Sequence, residues 1–89
     1  MNITEVKVFP VKETGRLKAY ATIVFDDSFI VRDLKVIDGN KGLFVSMPSR
    51  RRKDGSFRDI AHPLNTDIRK AVEDAVIKEF NKVFEIKAE

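Results

Sequence analysis

The chain has 89 residues, 43% of them hydrophobic, with 17 Lys and Arg against 14 Asp and Glu and a net charge of +3. This length allows a single domain over residues 1–89, and the apolar content argues against a disordered chain. The absence of cysteine excludes disulfides, thiolate catalysis and cysteine-based zinc sites. No apolar stretch approaches the roughly 18 residues of a transmembrane helix, and the N-terminal segment does not resemble a signal peptide, so we expect a cytoplasmic protein.

Alternation of apolar and polar residues predicts β-strands over the first two thirds of the chain. In residues 17–25 the odd positions are apolar, whereas Tyr20 and polar residues lie on the opposite face. Residues 26–28 then predict a turn into a strand over 29–37, whose core-facing residues are expected to be Ile30, Leu34 and Val36.

Turn residues separate the strands that follow. Residues 38–42 (DGNKG) favour a turn before a strand that ends near Met47, since Pro48 cannot donate a ladder hydrogen bond. The Asp54-Gly55 pair indicates a hairpin that leads into a strand over 57–62. With a first strand over 4–11, which Pro10 interrupts, the sequence predicts about five strands in a mostly antiparallel sheet over residues 2–62.

A helical period replaces the alternation from Ile68 onward. Apolar residues occur at 68, 71, 72, 75, 76, 80, 83 and 84, and Asn65 or Thr66 is the predicted N-cap of a helix over residues 66–85. Packing of this C-terminal amphipathic helix on the sheet predicts an α+β domain.

The apolar arc of this helix is wider than one sheet face covers. Ile77, Phe80 and Phe84 lie well round the helix from the direction of Ile68 and Ala75, at about 100° per residue. Two interpretations stay open. Either a small irregular core wraps over the helix, or these three residues form a homodimer contact.

Few residues support catalysis. His62 is the one histidine and lies beside Pro63 at the predicted junction between strand and helix. We interpret it as a structural hydrogen-bonding residue, because no serine lies in a recognisable nucleophile elbow and one histidine cannot build a zinc site alone. We therefore expect no enzyme activity, metal, cofactor, membrane contact or small-molecule substrate.

The positive charge is concentrated in one segment. Residues 46–62 hold five cations and two anions, which accounts for the whole net charge, because the rest of the chain holds 12 of each sign. Arginine binds phosphate through two parallel hydrogen bonds and stays charged at physiological pH, which favours nucleic acid as the partner. The predicted binding residues are Arg50, Arg51, Arg52, Lys53 and Arg58, extended by Arg69 and Lys70 at the helix start. The alternative is a solvated turn that is polar for solubility.

Two aromatic residues flank the basic segment. Phe57 follows the predicted turn, and an exposed ring among cations stacks on unpaired bases. Phe44 precedes the segment at strand spacing and is predicted to belong to the core.

Several stretches resemble the SpoVG family, stage V sporulation protein G. The similarity is carried by GLFVSMPSR at 42–50, DGSFRDIAHPLN at 54–65 and the amphipathic helix that follows. The segments NITEVKV at 2–8 and LKAYATIVFDDSFIVRDLKVI at 17–37 are similar too, so the resemblance spans residues 2–84. Members are small bacterial proteins with roles in sporulation and septum formation.

The resemblance implies a dimeric regulator of gene expression that binds DNA with sequence preference, and also RNA, in association with the nucleoid. Its binding surface is implied to be the basic turn and the helix start, here residues 50–53 with Arg69 and Lys70. This chain departs from the family at the turn, where four cations run without a break and Ser56 replaces a frequent Glu. A more basic turn favours phosphate affinity over sequence preference. A second function class stays open, a protein-interaction module of cell division whose basic turn docks an acidic partner.

Overall fold

A computed structural model describes residues 1–12 and 15–88 of the chain. These residues form β1 (Ile3–Pro10), β2 (Leu17–Phe25), β3 (Phe29–Gly39), β4 (Gly42–Ser46), β5 (Ser49–Arg51), β6 (Phe57–Asp59) and α1 (Thr66–Ala88). An antiparallel sheet contains the first four strands in the order β1-β2-β3-β4, and β5 and β6 form a separate two-stranded sheet. The α+β class and the C-terminal helix are confirmed, whereas the single sheet of about five strands is wrong.

The core lies between α1 and one face of the four-stranded sheet, all of whose strands contact the helix. The alternation predicted for β2 is confirmed, because Ala19, Ala21, Ile23 and Phe25 are buried. Among the residues whose burial the structure describes, the buried core consists of Val8, Ala19, Ala21, Ile23, Phe25, Leu34, Val36, Val45, Met47, Val72, Val76 and Phe80. The opposite face of this sheet carries the alternate residues, and no described helix packs on it.

A bulge in β3 overturns the prediction that Ile30 belongs to the core. Ile23 pairs with Val31 and Ala21 with Leu34, so β3 has one residue more than β2 between these pairs. Asp33, with a φ of 65°, takes up the extra residue. Because side chains alternate with period two, the insertion turns Val31 toward the core and leaves Ile30 47% exposed.

Pro10 lies at the end of β1 and does not interrupt it. The strand is at the sheet edge and pairs only with β2 among the described elements, with Pro10 opposite Ala19. An edge strand tolerates proline because one of its sides needs no ladder hydrogen bonds.

Helix α1 begins as the sequence predicts. The side-chain oxygen Oδ1 of Asn65 accepts a hydrogen bond from the backbone N–H of Ile68 at 2.8 Å, which makes Asn65 the N-cap. The helix extends to Ala88, beyond the predicted end at residue 85. Within the part of the chain that the structure describes, no helix is both long and apolar enough to span a bilayer.

The wide apolar arc of α1 is partly used within the chain. Phe80 is only 5% exposed and Ile77 packs against the core, whereas Phe84 is 58% exposed. The rings of Phe80 and Phe84 stack with their centroids 5.7 Å apart. Phe80 therefore belongs to the core of its own chain, and a contact with a second copy stays a prediction that depends on Phe84.

Candidate nucleic-acid interface

The basic segment forms a hairpin, which we call the basic hairpin (residues 49–59). Arg50 pairs with Arg58, and Arg51 with Phe57. In residues 1–12 and 15–88, β5 and β6 pack on no other strand or helix. Arg50 and Arg51 thus lie on β5 and not in the turn, because the strand pairing extends from Ser49 to Arg51. One more hydrogen bond extends the hairpin at its open end, from the N–H of Ile60 to the Pro48 carbonyl at 2.7 Å.

The turn of the basic hairpin is held by its own hydrogen bonds. The N–H of Arg52 donates to the Ser56 carbonyl at 2.7 Å, and Gly55 adopts a φ of 91°, which other residues rarely adopt. Asp54 Oδ1 accepts hydrogen bonds from the Ser56 hydroxyl at 2.6 Å and the Ser56 N–H at 2.9 Å. These two bonds favour the carboxylate and lower the pKa of Asp54. The turn is therefore held by hydrogen bonds within the hairpin itself.

Five predicted binding residues gather around one open concavity of about 350 Å³. Its lining consists of Arg50, Arg51, Arg52, Lys53, Arg58, Asp59 and Ile60. The salt bridges among the described residues are Lys7–Glu5 and Lys82–Glu79, so none of the five cations has a carboxylate partner there. The concavity therefore presents unneutralised positive charge to the solvent.

Two of these cations lie directly opposite each other. Arg50 and Arg58 are cross-strand partners, and such partners project from the same face of a hairpin. Like charges in this position are destabilising, and a two-stranded hairpin is itself only marginally stable in water. The arrangement of Arg50 and Arg58 thus carries an electrostatic cost in the free chain.

The other two predicted cations are not part of this concavity. Arg69 and Lys70 are exposed near the start of α1, and among the described residues this helix contacts neither β5 nor β6. The structure thus separates the predicted binding residues into a group of five on the basic hairpin and a pair on the helix.

The two flanking aromatic residues are both exposed. Phe57 is 68% exposed on β6, as a stacking role requires. Phe44 is 42% exposed, so its assignment to the core is wrong. Its neighbours Leu43 and Val45 turn toward the helix, which places Phe44 on the uncovered face of the four-stranded sheet, opposite Ile37.

His62 lies at the junction between the hairpin and α1. Its ring nitrogen Nδ1 is 3.0 Å from the Pro63 carbonyl oxygen, which agrees with the predicted junction hydrogen bond. The residue also lines a small apolar cavity of about 150 Å³ with Ala61, Pro63 and Ile68. No cluster of His, Asp or Glu suited to a metal ion occurs among the described residues.

Two features of this site are not apparent from composition. One is the bond from Ser56 to Asp54, for which the Asp-Gly-Ser spacing is a usable signal, because Asp side chains often accept from the backbone two residues on. The other is the Arg50–Arg58 pair. Its register depends on the length of the turn, which the charge pattern alone does not specify.

Sequence comparison places the chain among known proteins. The SpoVG family model matches residues 1–82. A protein from Anaeromyxobacter sp. (strain Fw109-5), named "Putative septation protein SpoVG", is 61% identical over 92% of this chain and 84% of its own length. Proteins of the same name from Bdellovibrio bacteriovorus (61% identical, 92% of this chain, 75% of the relative) and Staphylococcus aureus strain MRSA252 (48%, 97% and 86%) are also similar. The chain belongs to the SpoVG family.

Proposed function

We propose that the protein is a dimeric nucleic-acid-binding regulator whose basic hairpin binds the phosphate backbone of DNA. The single observation that carries the proposal is the direct opposition of Arg50 and Arg58 on an isolated hairpin. A solvated turn that only maintains solubility has no use for two cations at a repulsive cross-strand position. Two guanidinium groups on one face instead suit phosphates, which each can bind through paired hydrogen bonds.

The surrounding geometry supports this function. The five cations line one concavity and lack carboxylate partners among the described residues. They can therefore neutralise phosphates, and so release the counterions of the nucleic acid, without first breaking a salt bridge. Exposed Phe57 stands beside them on β6 and offers a ring to a nearby sugar or base. Arg69 and Lys70 supply a second, smaller group of cations for the same polyanion.

Dimerisation belongs to the proposal because one hairpin alone covers few phosphates. Two copies related by a twofold axis present two hairpins on one assembly, which multiplies affinity without new contacts. Exposed Phe84 is the proposed contact residue on α1. The names of the relatives point to septation, and we propose that this chain regulates septum formation and sporulation by binding DNA, with RNA as a second ligand.

Binding to duplex DNA and to an acidic polypeptide tests the proposal against the protein-docking alternative. We expect a fluorescent duplex of arbitrary sequence to bind more tightly than poly-glutamate that carries the same total charge, because duplex DNA carries one negative charge per about 1.7 Å of its axis and releases condensed counterions on binding. The triple variant R50A/R51A/R52A should lose duplex binding by orders of magnitude at moderate salt.

The matched control removes the same number of positive charges elsewhere. Lys12, Lys41 and Lys78 are exposed and lie outside the basic hairpin. The variant K12A/K41A/K78A has the same net charge as the triple arginine variant, so it should bind duplex DNA far better if the hairpin is the site. Equal loss in both variants, or preference for poly-glutamate, contradicts the proposal.

A further inference from the structure

The face of the four-stranded sheet opposite α1 exposes three aromatic rings. Phe9 is 55% exposed, Tyr20 40% and Phe44 42%. The register places Phe9 directly opposite Tyr20 and Tyr20 opposite Lys35, so these side chains form a row across β1, β2 and β3. Among residues 1–12 and 15–88, no helix or strand packs on this face. We call it the open sheet face.

A positively charged groove adjoins this row. Its volume is about 180 Å³, and its lining is Glu5, Lys7, Phe9, Thr22, Val24, Ile30 and Arg32. Glu5 is the one acid in that lining and is engaged by Lys7 at 3.6 Å. Arg32 has no carboxylate partner among the described residues, and Lys35 lies on the other side of Tyr20. Aromatic rings on this face are therefore bordered by cations that are available to an anion.

Rings and cations in this arrangement match the chemistry of a single-stranded nucleic acid. Unpaired bases stack on aromatic side chains regardless of base identity, and cations beside the rings hold the phosphates. Bases inside a duplex are already stacked on each other and cannot use such rings. A ligand that uses both the rings and the cations of this face must offer unpaired bases together with phosphates. Single-stranded nucleic acid does so, and duplex DNA does not.

We propose that the open sheet face binds single-stranded nucleic acid. Phe9 and Tyr20 stack unpaired bases, and Arg32 and Lys35, both on β3, contact the phosphates. Directly opposed cross-strand residues have Cβ atoms about 5 Å apart, so the Phe9 and Tyr20 side chains are close enough to serve neighbouring bases of one strand. Phe44 lies diagonally across β3, roughly 12 Å from Tyr20 by strand spacing, and extends the platform toward β4.

Charge argues against a second copy of the chain as the occupant of this face. A twofold contact buries the same patch of both copies, and that patch carries Lys7, Arg32 and Lys35 against Glu5, so the contact brings two positively charged surfaces together. A polyanion instead neutralises them. The proposal concerns a surface separate from the basic hairpin, and it stands or falls independently of the duplex binding proposed above.

Intrinsic fluorescence gives a direct test, because Tyr20 is the one tyrosine and the chain has no tryptophan. A base stacked on Tyr20 quenches its emission. We expect saturable quenching by oligo(dT) and by oligo(U), measured against a free tyrosine amide that corrects for light absorbed by the oligonucleotide. A stronger response to oligo(U) identifies RNA as the preferred ligand, and an equal response shows that the 2′-hydroxyl is not read.

Ring-removing variants complete the test. Phe9→Leu and Tyr20→Leu keep apolar side chains at these strand positions but remove the rings. The matched control is Phe29→Leu, which removes an exposed ring from β3 that lines the small apolar cavity beside His62 and not the open sheet face. We expect each sheet variant to lower the affinity for fluorescein-labelled oligo(dT) at least about fivefold, without loss of duplex binding, and Phe29→Leu to leave oligo(dT) affinity unchanged.

Several results overturn the inference. One is oligonucleotide binding that leaves Tyr20 emission unchanged, and another is full oligo(dT) affinity in both leucine variants. Tyr20 emission that changes with protein concentration alone identifies a second copy as the occupant and also contradicts the proposal. Loss of duplex binding in R50A/R51A/R52A with Tyr20 quenching intact supports both surfaces, whereas duplex binding without any quenching removes only this inference.

Discussion

Replacing Arg58 by Thr should raise the stability of the basic hairpin while weakening its binding to DNA. The substitution removes the like-charge contact with Arg50 and introduces a β-branched residue that favours strands. Opposite-sign effects on stability and binding are expected when a residue is present for its ligand and not for the fold. A residue kept only for hairpin structure would lower both or neither.

The magnitudes follow from the geometry. A cross-strand pair contributes about 0.2–1 kcal/mol, so the local opening of the hairpin should become about 1.4 to 5 times rarer. Loss of one phosphate contact per chain flattens the plot of log affinity against log salt by about 0.9, or about 1.8 for a dimer. Both changes lie within the range of routine measurement.

Amide hydrogen exchange reports the first quantity. The N–H groups of Ile60 and Arg52 are bonded across the hairpin, to Pro48 and Ser56, and should gain protection in Arg58→Thr, whereas amides of the core strands should not change. The matched control is Arg51→Thr, which removes a cation that faces Phe57 and not another cation. It should weaken DNA binding similarly without the gain in protection. Reduced protection in Arg58→Thr, or unchanged DNA binding, refutes the reasoning.

Four further predictions concern Asp54, His62 and Phe84. Hydrogen bonds from Ser56 lower the pKa of Asp54, so the carboxylate contributes to turn stability at pH values above its unfolded pKa. This contribution is lost as the pH falls through the lower folded pKa. An NMR titration of the side chain that gives an unshifted pKa would disprove this. Asp54→Asn keeps an acceptor for Ser56 and removes a negative charge from the basic hairpin, so duplex affinity should rise in a binding titration, while Asp54→Ala should disorder the turn; lower affinity in Asp54→Asn contradicts this. His62→Gln should lower the thermal midpoint modestly through the lost bond to Pro63 and keep DNA binding, whereas a folded variant without binding would assign His62 to the interface. Phe84→Asp should shift sedimentation toward the monomer without unfolding, in contrast to Phe80→Asp, which places a charge in the core; an unchanged sedimentation profile rules out the proposed contact.

Local patterns were sufficient for most of the fold. The alternation in β2 identifies its buried residues from Ala19 to Phe25 because the bulge at this point inserts its extra residue into β3 and not into β2, and the helical period and Asn65 cap identify α1. Ile30 was assigned to the wrong face because the bulge at Asp33 leaves no strong signal in a chain of apolar and charged residues. Phe44 was misplaced because an almost wholly apolar segment does not show which of its faces the helix will cover.

The candidate site was only partly accessible from the sequence. Charge counting identified residues 50–53 and Arg58, since an excess of cations in one segment needs no structure to be seen. The opposition of Arg50 and Arg58 required the strand register, and the separation of Arg69 and Lys70 from the hairpin required the tertiary arrangement. Likewise, Tyr20 was predicted to face away from the core, but its neighbours across the sheet, Phe9 and Lys35, come from strand pairing.

The salt dependence of duplex binding tests most directly whether the basic hairpin holds phosphates. If each chain of a dimer neutralises three or four phosphates, log affinity should fall against log salt with a slope of about −5 to −7. In R50A/R51A/R52A, a dimer loses up to six of those contacts, and the slope should flatten by about 5 at unchanged folding stability. A folded triple variant with the wild-type affinity and slope would show that the hairpin is a solvated turn.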